Sequence, residues 1–95
     1  MKRDALVIKD RDNVATAIRD IPAGKDAVVG IDEETLTIRV SGEIPLGHKL
    51  AVKPIARGED VLKYNCVIGR ATQDIKTGEH AHVQNMESLR GRGDL

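Results

Sequence analysis

The sequence of 95 residues is almost devoid of aromatic side chains, since Tyr64 is the single aromatic residue and Phe and Trp are absent. Proteins that bind single-stranded nucleic acids stack the bases on aromatic rings, so this binding mode is excluded. Fifteen basic and fifteen acidic residues give a net charge of zero, which leaves no excess of positive charge for a phosphate backbone. We therefore expect no nucleic-acid partner.

Cysteine and long apolar segments are equally scarce. Cys66 is the single cysteine, which excludes an internal disulfide, and its neighbours Val67 and Ile68 predict a small core residue rather than a nucleophile. The first apolar run, residues 5–8, is too short for a signal peptide or a membrane span. These absences predict one soluble, cytoplasmic domain with no membrane partner.

A short phrase, Ile-x-x-Gly, recurs at four places: residues 21–24, 44–47, 55–58 and 75–78. Glycine readily adopts the positive φ of a tight turn, and each Ile would anchor its turn in the core. Pro22 and Pro45 are expected at the turn position next to the glycine, where proline fixes φ. Because the spacing is irregular, a solenoid is excluded and a compact β fold with similar corners is predicted.

The strand pattern is clearest in two segments, residues 5–8 and a hairpin over residues 27–40, both bounded by turn residues. Shorter strands are expected at four further places: residues 50–52, 61–62, 67–68 and 81–83. The last residues, 88–95, have no apolar period and predict a flexible tail behind a domain of residues 1–87.

One helix is expected at residues 13–20. Its pattern consists of four apolar residues at helical spacing, and two acids precede it as candidate N-caps: Val14, Ala17, Ile18 and Ile21, with Asp10 and Asp12. Pro22 would end the helix. The predicted fold class is therefore mostly β with one short helix.

The histidines are the side chains with the clearest chemical potential. His80 and His82 are two residues apart and would project from one face of a strand, where they could share a divalent metal. A third ligand, His48 or a carboxylate, would have to come from elsewhere. His48 could instead move a proton and Lys49 could bind a carboxylate. Alternatively, all of these residues are ordinary polar side chains at turns and on an exposed strand face.

Six fragments, taken in order, resemble the amino-terminal domain of the altronate and galactarate dehydratases, a group that includes the small subunit of sulfolactate sulfo-lyase. The fragments are residues 12–17, 44–49, 55–59, 63–64, 67–71 and 75–85. The resemblance implies an SAF-like β-clip fold. It also implies a lyase that removes water or sulfite from a hydroxy acid, with most of the catalytic residues on a large second domain or subunit.

The resemblance leads us to expect the small subunit of a hydro-lyase that acts on a sugar acid and is inactive without its large subunit. A divalent metal, with iron as the first candidate, is expected at the interface with that subunit. The alternatives are the alpha subunit of a sulfolactate sulfo-lyase and a non-catalytic β-clip module for ligand binding or assembly. A homo-oligomer is compatible with each of these.

The resemblance also implies roles for individual residues. His48 and Lys49 would be catalytic, His80 and His82 would bind the metal, and Lys49 and Asn85 would bind the substrate. Gln84 stands where relatives often have a third histidine, so a third ligand from this segment is not expected.

Overall fold

The computed structural model describes residues 2–9 and 11–88, and every helix or strand assigned within them is a β-strand. The strands are β1 Ala5–Val7, β2 Val14–Ala17, β3 Asp26–Ile31, β4 Glu34–Arg39, β5 Lys49–Ala51, β6 Asp60–Lys63, β7 Cys66–Ala71, β8 His80–Ala81 and β9 Met86–Ser88. The predicted mostly-β class is confirmed.

The strands form two sheets. One has six strands in the order β4-β3-β1-β2-β5-β8, and the other has three in the order β6-β7-β9. Only β1 and β3 pair in parallel, and all other neighbours are antiparallel. The predicted hairpin over residues 27–40 is confirmed as β3 and β4, which turn at residues 32–33. The second sheet packs beside β2 and β5, and the described residues form two apolar cores.

The predicted helix at residues 13–20 is wrong, because Val14–Ala17 is strand β2, between β1 and β5. The apolar spacing has a different cause. Both faces of β2 are covered: Val14 packs in the second core with Ala51 and Val61, whereas Ala15 and Ala17 pack in the first. A strand buried on both faces loses its period-two alternation, and here the remaining pattern imitates a helical face. Ile18, expected on that face, is exposed.

Asp12 is not a helix cap, but it does bind backbone amides. Its buried carboxylate accepts hydrogen bonds from the amides of Lys9, Tyr64 and Asn65 at 3.1, 3.0 and 2.9 Å. Tyr64 and Asn65 form the β6–β7 turn with φ of 57° and 59°, a conformation that costs non-glycine residues energy. Asp12 therefore joins the β1–β2 connection to this turn. Asp10 lies outside the described residues.

The four Ile-x-x-Gly phrases are turns, as predicted, and we call them corner 1 (residues 21–24), corner 2 (44–47), corner 3 (55–58) and corner 4 (75–78). Their glycines have φ between 80° and 89°, and their isoleucines are buried. The corners associate in pairs, because Ile21 exchanges two backbone hydrogen bonds with Ile44, and Ile55 does the same with Ile75.

In each pair, an acidic residue that precedes one corner accepts a hydrogen bond from a backbone amide of the other corner. The carboxylate of Asp20, before corner 1, accepts a hydrogen bond of 2.8 Å from the amide of Leu46 in corner 2. Asp74, before corner 4, accepts one of 2.9 Å from the amide of Arg57 in corner 3. The two pairs are thus built alike.

The expectation for the prolines is wrong in detail. The carbonyl of Pro22 accepts a hydrogen bond from Lys25, and that of Pro45 accepts one from His48. Each proline is therefore the first residue of its four-residue turn, and Ala23 and Leu46 stand next to the glycines.

Three other expectations concern the periphery. Cys66 is exposed at the start of β7, so its prediction as a core residue is wrong. Ser88 ends β9, and the other residues of the predicted tail, 89–95, lie outside the described part. Within residues 2–9 and 11–88, a helix long and apolar enough to cross a membrane is not found.

Candidate functional site

The three histidines of the chain come together where corners 2 and 4 lead into their strands. Strands β5 and β8 pair with Lys49 opposite Ala81 and Leu50 opposite His80. In an antiparallel pair this register brings His48 opposite His82, and their ring centroids are 4.5 Å apart. Strand pairing thus joins residues that are 34 positions apart in the sequence.

The imidazoles form a compact, stacked cluster. The ring of His80 lies 5.1 Å from that of His48 and 5.2 Å from that of His82, with interplanar angles of 22° and 13°. His48 Nδ1 is 2.9 Å from His80 Nε2. One ring nitrogen from each histidine lies within 4.8 Å of the other two, and all three side chains are half-buried. The sequence analysis expected a third ligand from either His48 or a carboxylate. In the group found among the described residues, the third member is His48, and no carboxylate belongs to it.

Turn chemistry explains why a histidine can occupy position 48. In corners 3 and 4 the residue after the glycine is a glutamate, and its carboxylate accepts a hydrogen bond from the first amide of the turn. Glu59 binds Ala56 at 2.6 Å, and Glu79 binds Lys76 at 2.7 Å. In corner 2 the equivalent residue, directly after the isoleucine, is Pro45, which has no amide hydrogen to satisfy. Position 48 is therefore free to carry a side chain for another purpose.

The segment from residue 80 to residue 85 is shaped by Asn85, which is 5% exposed. Its Oδ1 accepts a hydrogen bond of 3.0 Å from the amide of His82, and its Nδ2 donates one of 2.8 Å to the carbonyl of His80. The strand predicted at 81–83 is wrong beyond Ala81, because the chain turns after β8. Asn85 holds both histidines in place through the backbone, which argues against direct binding of a substrate by this amide.

Gln84 lies at the edge of the cluster. Its Nε2 donates a hydrogen bond of 3.1 Å to the carbonyl of His80 and is 3.4 Å from His80 Nδ1. The side chain therefore contacts one imidazole without adding another.

Lys49 lies beside the cluster and lines a cleft of about 180 Å³. The cleft is lined by Lys49, Ile68, Ala81, His82, Val83, Met86 and Ser88. Sequence reasoning missed five of these, Ile68, Ala81, Val83, Met86 and Ser88. Pairing of β7 with β9 brings three of them here, and no local pattern marks that pairing. His82 belongs to both the cleft and the histidine cluster.

Burial and neighbouring charge act on both basic groups. Loss of solvent lowers the pKa of Lys49, and the positive charge of Lys63 lowers it further. Loss of solvent likewise lowers the pKa of His80, with added effects of His48, His82 and Lys49. The neutral imidazole, which is favoured by this shift, is the form that binds a metal ion.

The cluster fits a divalent transition metal. Two ligands at right angles, each about 2.1 Å from an ion, are about 3 Å apart, and the His48 and His80 nitrogens have a separation of 2.9 Å. One ring nitrogen of His82 lies within 4.8 Å of a nitrogen of each of the other two histidines. Three imidazoles suit iron, zinc, copper or nickel and disfavour magnesium or calcium, which prefer oxygen.

Comparison with known proteins agrees with the fold and the motifs. Residues 3–89 match the family of altronate/galactarate dehydratase SAF domains. The chain is 36% identical over 89 residues to the (2R)-sulfolactate sulfo-lyase subunit alpha of Chromohalobacter salexigens, a match that covers 90% of this chain and 95% of that protein.

Two altronate dehydratases are also similar. The Bacillus subtilis protein is 38% identical over 87% of this chain, and the Escherichia coli protein is 42% identical over 78% of it. The match covers only 16% and 14% of these two proteins. Together with the match over residues 3–89, these relationships show that the chain belongs to the altronate/galactarate dehydratase SAF domain family.

Proposed function

We propose that this chain is the small subunit of a lyase that eliminates a leaving group from a hydroxy carboxylic acid, together with a large catalytic subunit. The observation that carries the proposal is the cluster of His48, His80 and His82 with Lys49 beside it, in a chain whose named relatives are lyases. The cluster is half-buried, so it covers one side of a bound substrate only. We therefore expect turnover to require the large subunit. We also propose that the complex is cytoplasmic.

In this proposal His48, His80 and His82 would hold a divalent metal, with iron as our first candidate. When bound, the metal would supply a Lewis acid that stabilises negative charge on a substrate oxygen. Lys49 would bind the carboxylate of the substrate, and Asn85 would keep the two later histidines in position. The base that removes the proton next to the carboxylate would come from the large subunit, because all three imidazoles are used as ligands.

Two leaving groups are consistent with the family. The first reading is loss of water from a sugar acid, as the names of the altronate dehydratase relatives indicate. The second is loss of sulfite from sulfolactate. It is favoured by coverage, since the match spans 95% and 94% of two sulfolactate sulfo-lyase alpha subunits.

The test is reconstitution. The chain is co-expressed with a candidate large lyase subunit from the same organism, and any complex is purified. Its metal content is measured, and turnover of altronate, galactarate and sulfolactate is assayed. His48→Ala is expected to reduce both metal affinity and turnover by at least about 100-fold, because it removes one of three ligands. Lys53→Ala, at an exposed position outside the cluster, is the control and should match the wild type.

Two outcomes would contradict the proposal in different ways. Full turnover and metal content in the His48→Ala complex would show that the cluster is not the metal site. If the chain formed no complex with any large lyase subunit, the subunit assignment would be wrong, and a non-catalytic β-clip module would be the better reading.

A further inference from the structure

Strand β4 is an edge of the six-stranded sheet, and half of its backbone groups face away from β3. Val40, directly after β4, donates a hydrogen bond to the carbonyl of Lys25 and accepts one from the amide of Gly24, both just before β3. Backbone groups of alternate strand residues point in opposite directions, so Thr35 and Thr37 direct theirs outward. Within residues 2–9 and 11–88, these outward groups have no hydrogen-bond partner.

Two other edge strands, in contrast, are covered from within the chain. Asn13 lies along β6, where its Nδ2 donates a hydrogen bond of 2.9 Å to the carbonyl of Asp60 and its Oδ1 accepts one of 2.8 Å from the amide of Leu62. At β8 the carbonyl of His80 accepts hydrogen bonds from two side chains of the following turn. The edge of β4 at residues 35–37 is Thr-Leu-Thr, without the charge or proline that usually protects an edge strand.

A second copy of the same strand fits this edge in one register. Corner 4 closes one end of the edge, where the carbonyl of Arg39 lies against Gly78. A partner strand must therefore end before it reaches Arg39. Antiparallel pairing centred on Leu36 meets this condition, because Thr37 then lies opposite Thr35 of the second copy, whose chain turns away two residues later.

The side chains agree with this register. Leu36, which is 36% exposed, would lie opposite its own copy, and both side chains would leave water. Glu33, in the β3–β4 turn, would lie opposite Arg39 of the second copy, and two-fold symmetry forms this pair of opposite charges twice. Arg39 can keep its pair with Asp26, since a guanidinium has five N–H donors. A shift by two residues would place Leu36 opposite Glu34 or bring the second strand against corner 4.

We propose that two copies of the chain pair through β4 about a two-fold axis and join their six-stranded sheets into one continuous sheet. Both copies use the same edge, so the assembly stops at two. The paired segment is short, and interfaces of small area are weak, so this dimer exchanges with the monomer. The proposal does not depend on the lyase function, and it leaves β8, the opposite edge strand that carries His80, unused.

Sedimentation equilibrium and hydrogen exchange of the chain test the proposal. Between about 10 µM and about 1 mM, the range of weak contacts, the measured mass should rise from one chain toward two. The amides of Thr35 and Thr37 should become protected from exchange as the concentration rises. The amide of Leu36, which faces β3, should be protected at every concentration. A single-chain mass at the highest concentration would overturn the proposal.

Matched variants test the register. Leu36→Lys places two like charges opposite each other and should weaken dimerisation at least about 10-fold. Ile18→Lys, at an apolar residue of similar exposure outside β4, is the control and should leave the Kd unchanged. Glu33→Arg and Arg39→Glu should each weaken the dimer about 3-fold to 10-fold, and the double variant should restore it, because the two charges are then exchanged.

The outcomes separate this dimer from other uses of the edge. If Ile18→Lys weakens the dimer as much as Leu36→Lys, or if the double charge reversal does not restore it, the pairing through β4 is wrong. Protection of Thr35 and Thr37 only in a complex with a large subunit would assign the edge to that subunit and overturn the proposal. The lyase function stands or falls separately, with the reconstitution assay.

Discussion

Corners 2 and 4 have the same kind of turn, and both lead to a histidine. The residue after the glycine has a different role in each. In corner 4 this residue is Glu79, which binds the amide of Lys76, and the histidine follows one position later. In corner 2 the residue after the isoleucine is Pro45, so no amide needs a partner there, and His48 stands directly after the glycine. The comparison teaches that, when proline follows the isoleucine, the residue after the glycine is not needed to bind an amide of the turn. It can then have another role.

Corner 1 supports the same conclusion. The residue after its isoleucine is Pro22, and the residue after its glycine is Lys25, which reaches away from the turn to bind Asp4. Only the two corners without proline, 3 and 4, place a glutamate at this position and bind it back to the turn. The choice of proline or glutamate therefore separates two kinds of corner.

The largest expected effect comes from the glycines themselves. Gly24 and Gly78 have similar φ, but a methyl group at Gly78 would overlap the backbone carbonyl of Arg39, whereas nothing lies near Gly24. Gly24→Ala should cost about 1–2 kcal/mol from backbone strain, and Gly78→Ala about 2–5 kcal/mol because overpacking is added. Urea unfolding of both variants measures the difference. Equal costs would show that corner 4 is no more tightly packed than corner 1.

The next effect concerns the ion pair of corner 1 and depends on pH. Burial raises the pKa of Asp4, but the amide of Val28 and the charges of Lys25 and Arg19 outweigh it, so the pKa lies below its usual value. A lowered pKa in the folded state stabilises the protein above the pKa of the unfolded state, and this contribution is lost as pH falls through the folded pKa.

Asp4→Asn should therefore destabilise the protein by about 1–3 kcal/mol at pH 7 and by less as the pH is lowered below about 4. Thermal unfolding between pH 3 and pH 7 measures this. A cost that stays constant over this range would mean that the carboxylate charge contributes nothing. Asp26→Asn, in an exposed ion pair with Arg39, is the control with a small expected effect.

The smallest effect tests the comparison of corners 2 and 4 most directly. Glu79→Ala leaves the amide of Lys76 without its partner and should cost about 0.5–1.5 kcal/mol. In a chain that also carries Lys76→Pro, the amide is absent and Glu79→Ala should cost almost nothing. A double-mutant cycle by urea unfolding measures the coupling. If Glu79→Ala had the same cost with Lys76 and with Pro at position 76, Glu79 would not stabilise the turn through the Lys76 amide.

The sequence predicts well what depends on local chemistry. The glycine turns and the β3–β4 hairpin are confirmed because turn geometry and alternation act over a few residues. The helix at 13–20 is wrong because β2 is buried on both sides, a property that only the packed sheets determine. Cys66 has apolar neighbours and is nevertheless exposed, at the start of a strand that follows the turn bound by Asp12.

The site shows the same division between local and distant information. The sequence marks His80 and His82 as a pair, but their association with His48 depends on the register of β5 and β8. Asn85 is a recognisable polar residue, whereas its burial and its two backbone hydrogen bonds follow from the fold. The metal-binding and catalytic roles of these residues stay predictions until the complex is assayed.

The exchange between proline and glutamate also has a consequence for protein engineering. A chain with Lys76→Pro no longer needs a carboxylate at position 79, which directly precedes His80. That position could then carry another side chain without loss of the turn. The residue before His80 could thus change through two substitutions while the corner that positions His80 keeps its shape.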